Sequence, residues 1–375
     1  MLLIEWVPRT TDGAGFPRTV AILRALDEAG FRVVLYPPDP CNLPDGEIYA
    51  DIPRRVEVIR GKGIDSLDHF LRERRGDFQS MIVCRPMTMT RVIGVLAREP
   101  QIVSGLRLIY DSEAIFSARE IVRRRLLHDP PDLQAEKRWT AKELALGTLA
   151  DAVLAVSEQE REMFKQFGAK DVRVLGHAVR PAPTPRTFAK RRGLLFVGRV
   201  AEEGWPSPNV DSLAWFCEKV FPSVQKQLAE LGYPVSLTVA GKTGARILRD
   251  GPSDGIRFLG VVDDLRPLYD RARLFIAPTR FAAGIPFKIH DAAAHGLPVI
   301  ATRLLSRQLG WQSGKDLLAS EVSDACGFAS HIVEAYTDAE LWARLRANAL
   351  ERVEQDCSPN EFRRVLFDVL RPEDR

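Results

Sequence analysis

The chain has 375 residues, of which 45% are hydrophobic and 27% charged, with a formal net charge of +3. That length exceeds one ordinary core and suits two domains of about 150 to 200 residues each. The composition is that of a soluble globular protein, the charge is too small to mark a nucleic-acid binder, and no apolar run approaches the roughly 18 to 20 residues of a membrane span. The opening Met1-Leu2-Leu3-Ile4-Glu5-Trp6-Val7 lacks a basic leader and carries Glu5 inside its apolar run, so a cytoplasmic chain is expected. Cys41, Cys84, Cys217, Cys326 and Cys357 are scattered and form no Cys-x-x-Cys pair, so they read as reduced thiols rather than a zinc or redox site.

In chain order, short β-rich runs alternate with amphipathic stretches, the pattern of β-α-β units and a parallel sheet. The first half predicts strands at Leu2 to Val7, Arg32 to Tyr36, Val56 to Ile59, Ser80 to Cys84, Arg107 to Tyr110 and Ala152 to Val156. Helices are predicted at Arg18 to Ala29, Leu67 to Arg74, Arg91 to Arg98 and Pro131 to Leu149. The Pro-rich, basic stretch Arg180-Pro181-Ala182-Pro183-Thr184-Pro185-Arg186 reads as an extended linker, since each proline fixes its φ and restricts the residue before it. A second series follows, with strands at Gly193 to Val197, Val235 to Ala240, Ile256 to Leu259, Leu274 to Ala277 and Pro298 to Ala301. Its helices are predicted at about Asn209 to Leu231, Leu265 to Arg271, Phe287 to Ala294 and Ala325 to Ala335.

The expected architecture is therefore α/β: an N-terminal Rossmann-like domain over 1–180, a linker over 181–192, and a C-terminal Rossmann-like domain over 193–357. A C-terminal helix over 358–375 is compatible with packing back on the first domain. Two such halves are expected to create a cleft with the carboxyl ends of both sheets facing one another, the usual ligand position in such sheets.

The segment from Phe281 to Thr302 carries the most chemistry. It reads as a glycine loop at Gly284, a helix, a stop at Gly296 and a strand. A loop of that kind leaves backbone N–H groups and the positive end of the helix dipole directed outward, which suits a diphosphate. Lys288 on the first turn would add a charge-assisted contact, and Asp291, three residues on and on the same face, could accept from ribose hydroxyls. An ordinary crossover helix with a chance Lys and Asp reads the same way.

This stretch resembles the donor-binding signature of the group 1 family of retaining GT-B glycosyltransferases, in which two glutamates bracket a glycine loop and the tail reads E-A-x-x-x-G-x-P-V-x-A-T. The resemblance puts Asp291 at the second glutamate, which that family uses on ribose, and Ala283 at the first, so the sugar-contacting carboxylate is missing. Ala283-Gly284-Ile285, Lys288 and Asp291-Ala292 are similar to a variant found in enzymes that build bacterial surface polysaccharides, with Pro286 in place of its first lysine. Leu195-Phe196-Val197-Gly198-Arg199-Val200 resembles the family's first C-domain strand and turn, whose Gly and Arg approach the donor phosphates, and Asn209 to Phe221 the helix after it. The lysine that usually follows that turn has no equivalent in Ala201-Glu202-Glu203-Gly204-Trp205, which leaves Arg199 and Lys288 as the phosphate clamp. Gly241 and Lys242 match a strand end near the nucleotide, and Val261 and Val262 a loop whose backbone holds the base edge.

In the first half, Asp12-Gly13-Ala14-Gly15 is similar to the family's glycine loop facing acceptor and phosphates, although a tight βα turn would look alike. Asp111 and Glu113 match a strand end near the cleft, where one carboxylate would position the acceptor or, equally, cap the next helix. Ser157-Glu158-Gln159-Glu160-Arg161 matches a family helix start that is also a plain capping arrangement. Arg119, Arg123, Arg124 and Arg125, with Ile121, Val122, Leu126 and Leu127 among and beside them, are compatible with a basic amphipathic helix at an anionic membrane surface, or with a solvated helix face. No role falls to His177, His290 or His295, and His290 is expected to be structural or peripheral.

The resemblance implies transfer of a hexosyl or deoxyhexosyl group from a nucleotide-diphosphate sugar to a hydroxyl of a glycan or lipid-linked acceptor, with retention and without metal or cofactor. Arg199, Lys288, Asp111 and Glu113 would carry the chemistry. A nucleotide-sugar epimerase on the same fold and a non-catalytic nucleotide- or glycan-binding scaffold are the rival readings.

Overall fold

The computed structural model describes residues 1–11, 13, 15–200, 207–244 and 254–371. The chain forms two compact units, one of Met1–Thr10, Gly15–Gly176 and Asn360–Arg375, the other of Thr11–Ala14 and His177–Pro359.

The first unit is built on seven parallel strands, β1 (Leu2–Leu3), β2 (Val34–Tyr36), β3 (Glu57–Val58), β4 (Ser80–Cys84), β5 (Arg107–Asp111), β6 (Ala152–Ala155) and β7 (Val172–Val174), in the order β3-β2-β1-β4-β5-β6-β7. A parallel sheet covered on both faces needs near-continuous apolar strands, and Ser80-Met81-Ile82-Val83-Cys84 is buried along its whole length. The helices are α1 (Phe16–Glu28), α2 (Asp45–Ile48), α3 (Leu67–Glu73), α4 (Pro86–Leu96), α5 (Phe116–Leu126), α6 (Leu133–Thr148) and α7 (Glu158–Gln166). α4 starts five residues before the predicted Arg91, because Pro86 at a first helical position carries a φ already suited to the helix. α7 begins at Ser157, whose hydroxyl accepts from the Glu160 N–H at 3.3 Å. One core cluster joins Leu3, Val34, Val83, Tyr110 and Val153 to Val92 of α4 and Phe164 of α7.

Among the described residues the second unit has six parallel strands, β8 (Leu194–Val197), β9 (Leu237–Ala240), β10 (Ile256–Phe258), β11 (Leu274–Ala277), β12 (Val299–Thr302) and β13 (Leu318–Ser320), in the order β10-β9-β8-β11-β12-β13. Side chains alternate between its faces: Leu194 and Phe196 meet Leu213, Phe216 and Phe328 on one side, while Leu195 and Phe275 meet Ile289 and Trp311 on the other. The helices are α8 (Pro208–Trp215), α9 (Phe221–Glu230), α10 (Arg266–Arg271), α11 (Phe287–Ala294), α12 (Arg303–Leu309), α13 (Ala325–Thr337) and α14 (Ala339–Asp356). A π turn over Phe216–Val220 joins α8 to α9 where one helix was predicted, next to Pro222, which has no N–H to continue the ladder.

The stretch expected as a linker is fastened along the second unit. Its non-proline residues still carry N–H groups, and those of Ala182, Thr184 and Arg186 donate to Ala294 O at 2.8 Å, His295 O at 3.0 Å and Asp270 Oδ1 at 3.0 Å. The last helix, α15 (Pro359–Leu370), packs with the first unit: Arg107 Nε donates to Val369 O at 2.8 Å, Arg363 pairs with Glu28, and Phe367 meets Phe31 at 5.8 Å between ring centres.

Candidate functional site

In each unit the chain winds outward from a central strand in one direction and then the other, and the reversal point leaves a crevice at the strands' carboxyl ends. In the second unit that point lies between β8 and β11. Gly198 and Arg199 follow β8 directly. A Cβ on Gly198 would lie 2.9 Å from Asn209 Nδ2, and one on Gly241, whose φ is +126°, would lie 2.3 Å from Gly198 O, so the two turns touch backbone to backbone. Gly241 N donates to Gly260 O at 2.7 Å, which brings the loop carrying Val261 and half-buried Val262 beside them, with Val261 exposed. Lys242 is exposed, and its carbonyl accepts from Val200 N at 2.7 Å.

Across the crevice, half-buried Ala283, Gly284 and Ile285 lead into α11, whose capping residue Pro286 offers no side-chain acceptor to the first-turn N–H groups. Lys288 on that turn is enclosed, its ammonium donating to Asn209 Oδ1 and lying 4.9 Å from the centre of the Phe196 ring. No carboxylate among the described residues pairs with it, and burial lowers its pKa from 10.5 to about 8. The Asn209 amide in turn donates to Arg199 O at 3.0 Å. Asn209 thus joins the two predicted phosphate-binding residues; sequence inspection passed it over as part of a helix start.

Asp291 is turned to other partners. Tyr269 Oη donates to its Oδ2 at 2.7 Å, and His295 Nδ1 lies 3.5 Å from its Oδ1, with the His295 and Tyr269 rings stacked at 4.6 Å. Burial pushes the Asp291 carboxyl up, opposed by the Tyr269 hydrogen bond and then by His295. His290 is buried, 2.9 Å from His177 and 3.2 Å from the Cys357 thiol, and burial first, then Arg352, lowers its pKa to about 4, which keeps it neutral.

In the first unit the reversal lies between β1 and β4. Glu5 lies just after β1, Arg85 follows β4, and Asp111 ends β5 with Glu113 two residues beyond it. Arg85 Nε donates to Glu113 Oε2 at 2.7 Å and its Nη1 to Glu5 Oε2 at 3.3 Å, while buried Arg18 pairs with buried Asp111 at 2.6 Å. Arg85 and Glu113 both hold positive φ, 71° and 54°, a strained state for side-chain-bearing residues that tends to mark functional positions. Gly15 sits against this pair, where a Cβ would lie 2.6 Å from Glu113 Oε2. Gly13 is in the preceding coil, and Asp12, like 201–205, lies outside the described residues. Neither predicted carboxylate caps α5; that is done by Glu143, which accepts from Phe116 N at 2.6 Å and Ser117 N at 2.7 Å. Arg85 and Glu5 were not read from sequence, because only the sheet order makes them neighbours.

Cys84, Asp111 and Glu113 are the one group of possible metal ligands close together among the described residues, and Arg18 and Arg85 already occupy the two carboxylates. On α5, Arg123 and Arg124 share Glu120, Arg125 takes Glu136, and Arg119 lies over the Phe116 ring. Among the described residues no helix is long and apolar enough to cross a membrane.

Residues 191–338, from the strand before Gly198 through α13, match the family model for glycosyl transferases group 1. That match falls within the second unit. The group 1 segment contains Arg199, Asn209, Gly241, Lys288 and Asp291. A curated relative, an uncharacterized 44.6 kDa protein in the cps region of Klebsiella pneumoniae, is 26% identical over 183 residues, an alignment spanning 46% of this chain and 45% of that protein. Among solved structures the chain is similar to S. aureus TarM, in a complex with UDP and alpha-GlcNAc-glycerol, with a TM-score of 0.76 at 10% identity over 99% of both chains. It is also similar to sucrose-phosphate synthase from Thermosynechococcus elongatus, with a TM-score of 0.71 at 17% identity over 98% of this chain and 96% of that one. Anabaena HepE in complex with UDP and glucose gives 0.68 at 14% identity over 98% of each. At such identities the likeness is one of fold, and the fold is GT-B.

Proposed function

We propose that this protein is a glycosyltransferase whose group 1 unit holds a nucleotide-diphosphate sugar and whose N-terminal unit positions a hydroxyl of a glycan or lipid-linked acceptor. The observation that carries the reading is Lys288: an enclosed ammonium at the sheet's reversal point, held by a neutral amide and with no carboxylate partner among the described residues, is a site that calls for an anionic ligand. The N-terminal end of α11, Gly284, and Arg199 beside Gly198 supply further donors for a diphosphate. Val261 and Val262 would hold the base by their backbone, with Gly241 and Lys242 alongside.

Transfer then proceeds with departure of the diphosphate, its developing charge met by Lys288, Arg199 and the α11 amides, while the acceptor oxygen attacks the anomeric carbon on the face the diphosphate leaves, with retention. Cationic side chains at the leaving group support a reaction without a metal ion or cofactor. Glu113, strained and held by Arg85 and Thr19, is the better placed of the two N-terminal carboxylates to orient the acceptor, with Asp111 supporting it through Arg18. Hexosyl or deoxyhexosyl transfer into a surface polysaccharide fits the cps-region relative. Arg123, Arg124 and Arg125, which would face a cytoplasmic membrane surface, are paired with Glu120 and Glu136 instead.

A second reading, a binding scaffold without turnover, is favoured by Ala283 at the sugar-contacting position and by the engagement of Asp291 with Tyr269. Incubation with UDP-, GDP-, dTDP- and ADP-sugars while following release of nucleoside diphosphate separates the two. Release from one donor, abolished by Lys288→Ala, supports the enzyme; binding without release from any of them supports the scaffold.

A further inference from the structure

We propose that Asn209 is a positioning residue that presents Lys288 and the turn at Arg199 to the donor diphosphate as one preset clamp, an inference that rests on the donor-binding reading above. The amide can be oriented in only one way, because an ammonium only donates and a carbonyl only accepts. Its Oδ1 therefore faces Lys288 Nζ and its Nδ2 faces Arg199 O at 3.0 Å. These partners lie on α11 and on the turn after β8, on opposite sides of the reversal point. Asn209 itself is fixed in the first turn of α8, where its N–H donates to the capping Ser207 hydroxyl at 3.2 Å and Pro208 precedes it. Two residues on, Asp211 accepts from two Arg280 nitrogens, Nε at 2.9 Å and Nη2, which ties the same helix start to the loop after β11. Gly198 completes the seat, since a Cβ there would lie 2.9 Å from the Asn209 amide nitrogen.

The choice of an amide follows from charge. An aspartate of the same shape would satisfy the Lys288 ammonium and cancel its positive charge, whereas the amide oxygen holds it in place and leaves the charge available to phosphate. Without Asn209 the lysine would have to be immobilised by the ligand itself, and affinity would fall for diphosphates alone.

The test is calorimetric titration of wild type, Asn209→Ala and Asn209→Asp with UDP, GDP, dTDP and ADP and with the matching uncharged nucleosides, with urea unfolding as a check on each fold. We expect Asn209→Ala to bind the diphosphate about tenfold more weakly and the nucleoside as wild type does. Asn209→Asp is expected to weaken the diphosphate at least as much and to move the alkaline loss of diphosphate affinity to higher pH. Unchanged diphosphate affinity in folded Asn209→Ala, or an equal loss for nucleoside and diphosphate, overturns the assignment. A wild type that binds no diphosphate overturns the donor-site reading beneath it.

Discussion

The Tyr269 hydroxyl donates to the Asp291 carboxylate at 2.7 Å, so the one carboxylate of α11 is oriented by a buried phenol of α10. Replacing Tyr269 by Phe leaves a mostly buried carboxylate short of one donor and allows its pKa, already raised by burial, to rise further. The expected cost is about 2 kcal/mol of folding stability near neutral pH, the worth of a hydrogen bond to a charged acceptor. Because a raised carboxyl pKa favours the folded state at low pH, the deficit should shrink as pH falls and the carboxyl protonates. Urea unfolding across pH 4 to 8, taken here as roughly the range that brackets carboxyl titration, checks this.

Gly241→Ala tests the seat of the phosphate turns. The new Cβ would meet Gly198 O at 2.3 Å with φ at +126°, so overpacking and backbone strain together should cost about 3 kcal/mol. Denaturation measures the loss, and nucleotide affinity should fall even under conditions where the variant stays folded.

The pH dependence of donor binding follows from Lys288. Its pKa of about 8 in the empty site means that a diphosphate, which favours the ammonium, binds with proton uptake above that pH. Affinity should be nearly level below about pH 8 and then fall, by at most about tenfold per unit. The empty protein behaves oppositely: between about 8 and 10.5 the unfolded chain binds the extra proton, so this group adds stability as pH rises. Lys288→Met should flatten both profiles.

The N-terminal network predicts strong coupling between Arg85 and Glu113. Arg85→Met strands two buried carboxylates, Glu113 and Glu5, and should destabilise the fold by roughly 3 to 5 kcal/mol. Adding Glu113→Gln should recover part of that, because it removes one of the two stranded charges while Glu5 stays unpaired and the positive φ at position 85 is equally strained in both variants. A double-mutant cycle of unfolding free energies gives the coupling directly.

The two parallel sheets were legible because strands buried on both faces must be apolar throughout, as Ser80-Met81-Ile82-Val83-Cys84 and Leu274-Phe275-Ile276-Ala277 are. β7 and β13 were not predicted, and β1 ends at Leu3 rather than Val7, with Glu5 turned to Arg85. The proline stretch looked like a free linker since a sequence displays missing donors but not the partners found by Ala182 and Thr184. In the candidate site Lys288 and Gly284 could be picked out because loop, helix and stop are contiguous. Asn209 could not, as its meaning depends on a partner 79 residues away. Asp291 drew a role from its position alone, and its tie to Tyr269 exists only after α10 packs on α11.

The most direct test of the donor site is titration calorimetry with UDP, GDP, dTDP and ADP at pH 7, on wild type and Lys288→Met. One of these nucleotides should bind wild type at a single site, with affinity reduced roughly ten- to hundredfold in the variant, as loss of a buried charge-assisted contact implies. Equal affinity in both proteins, or no binding of any of the four, would contradict a donor site built around Lys288.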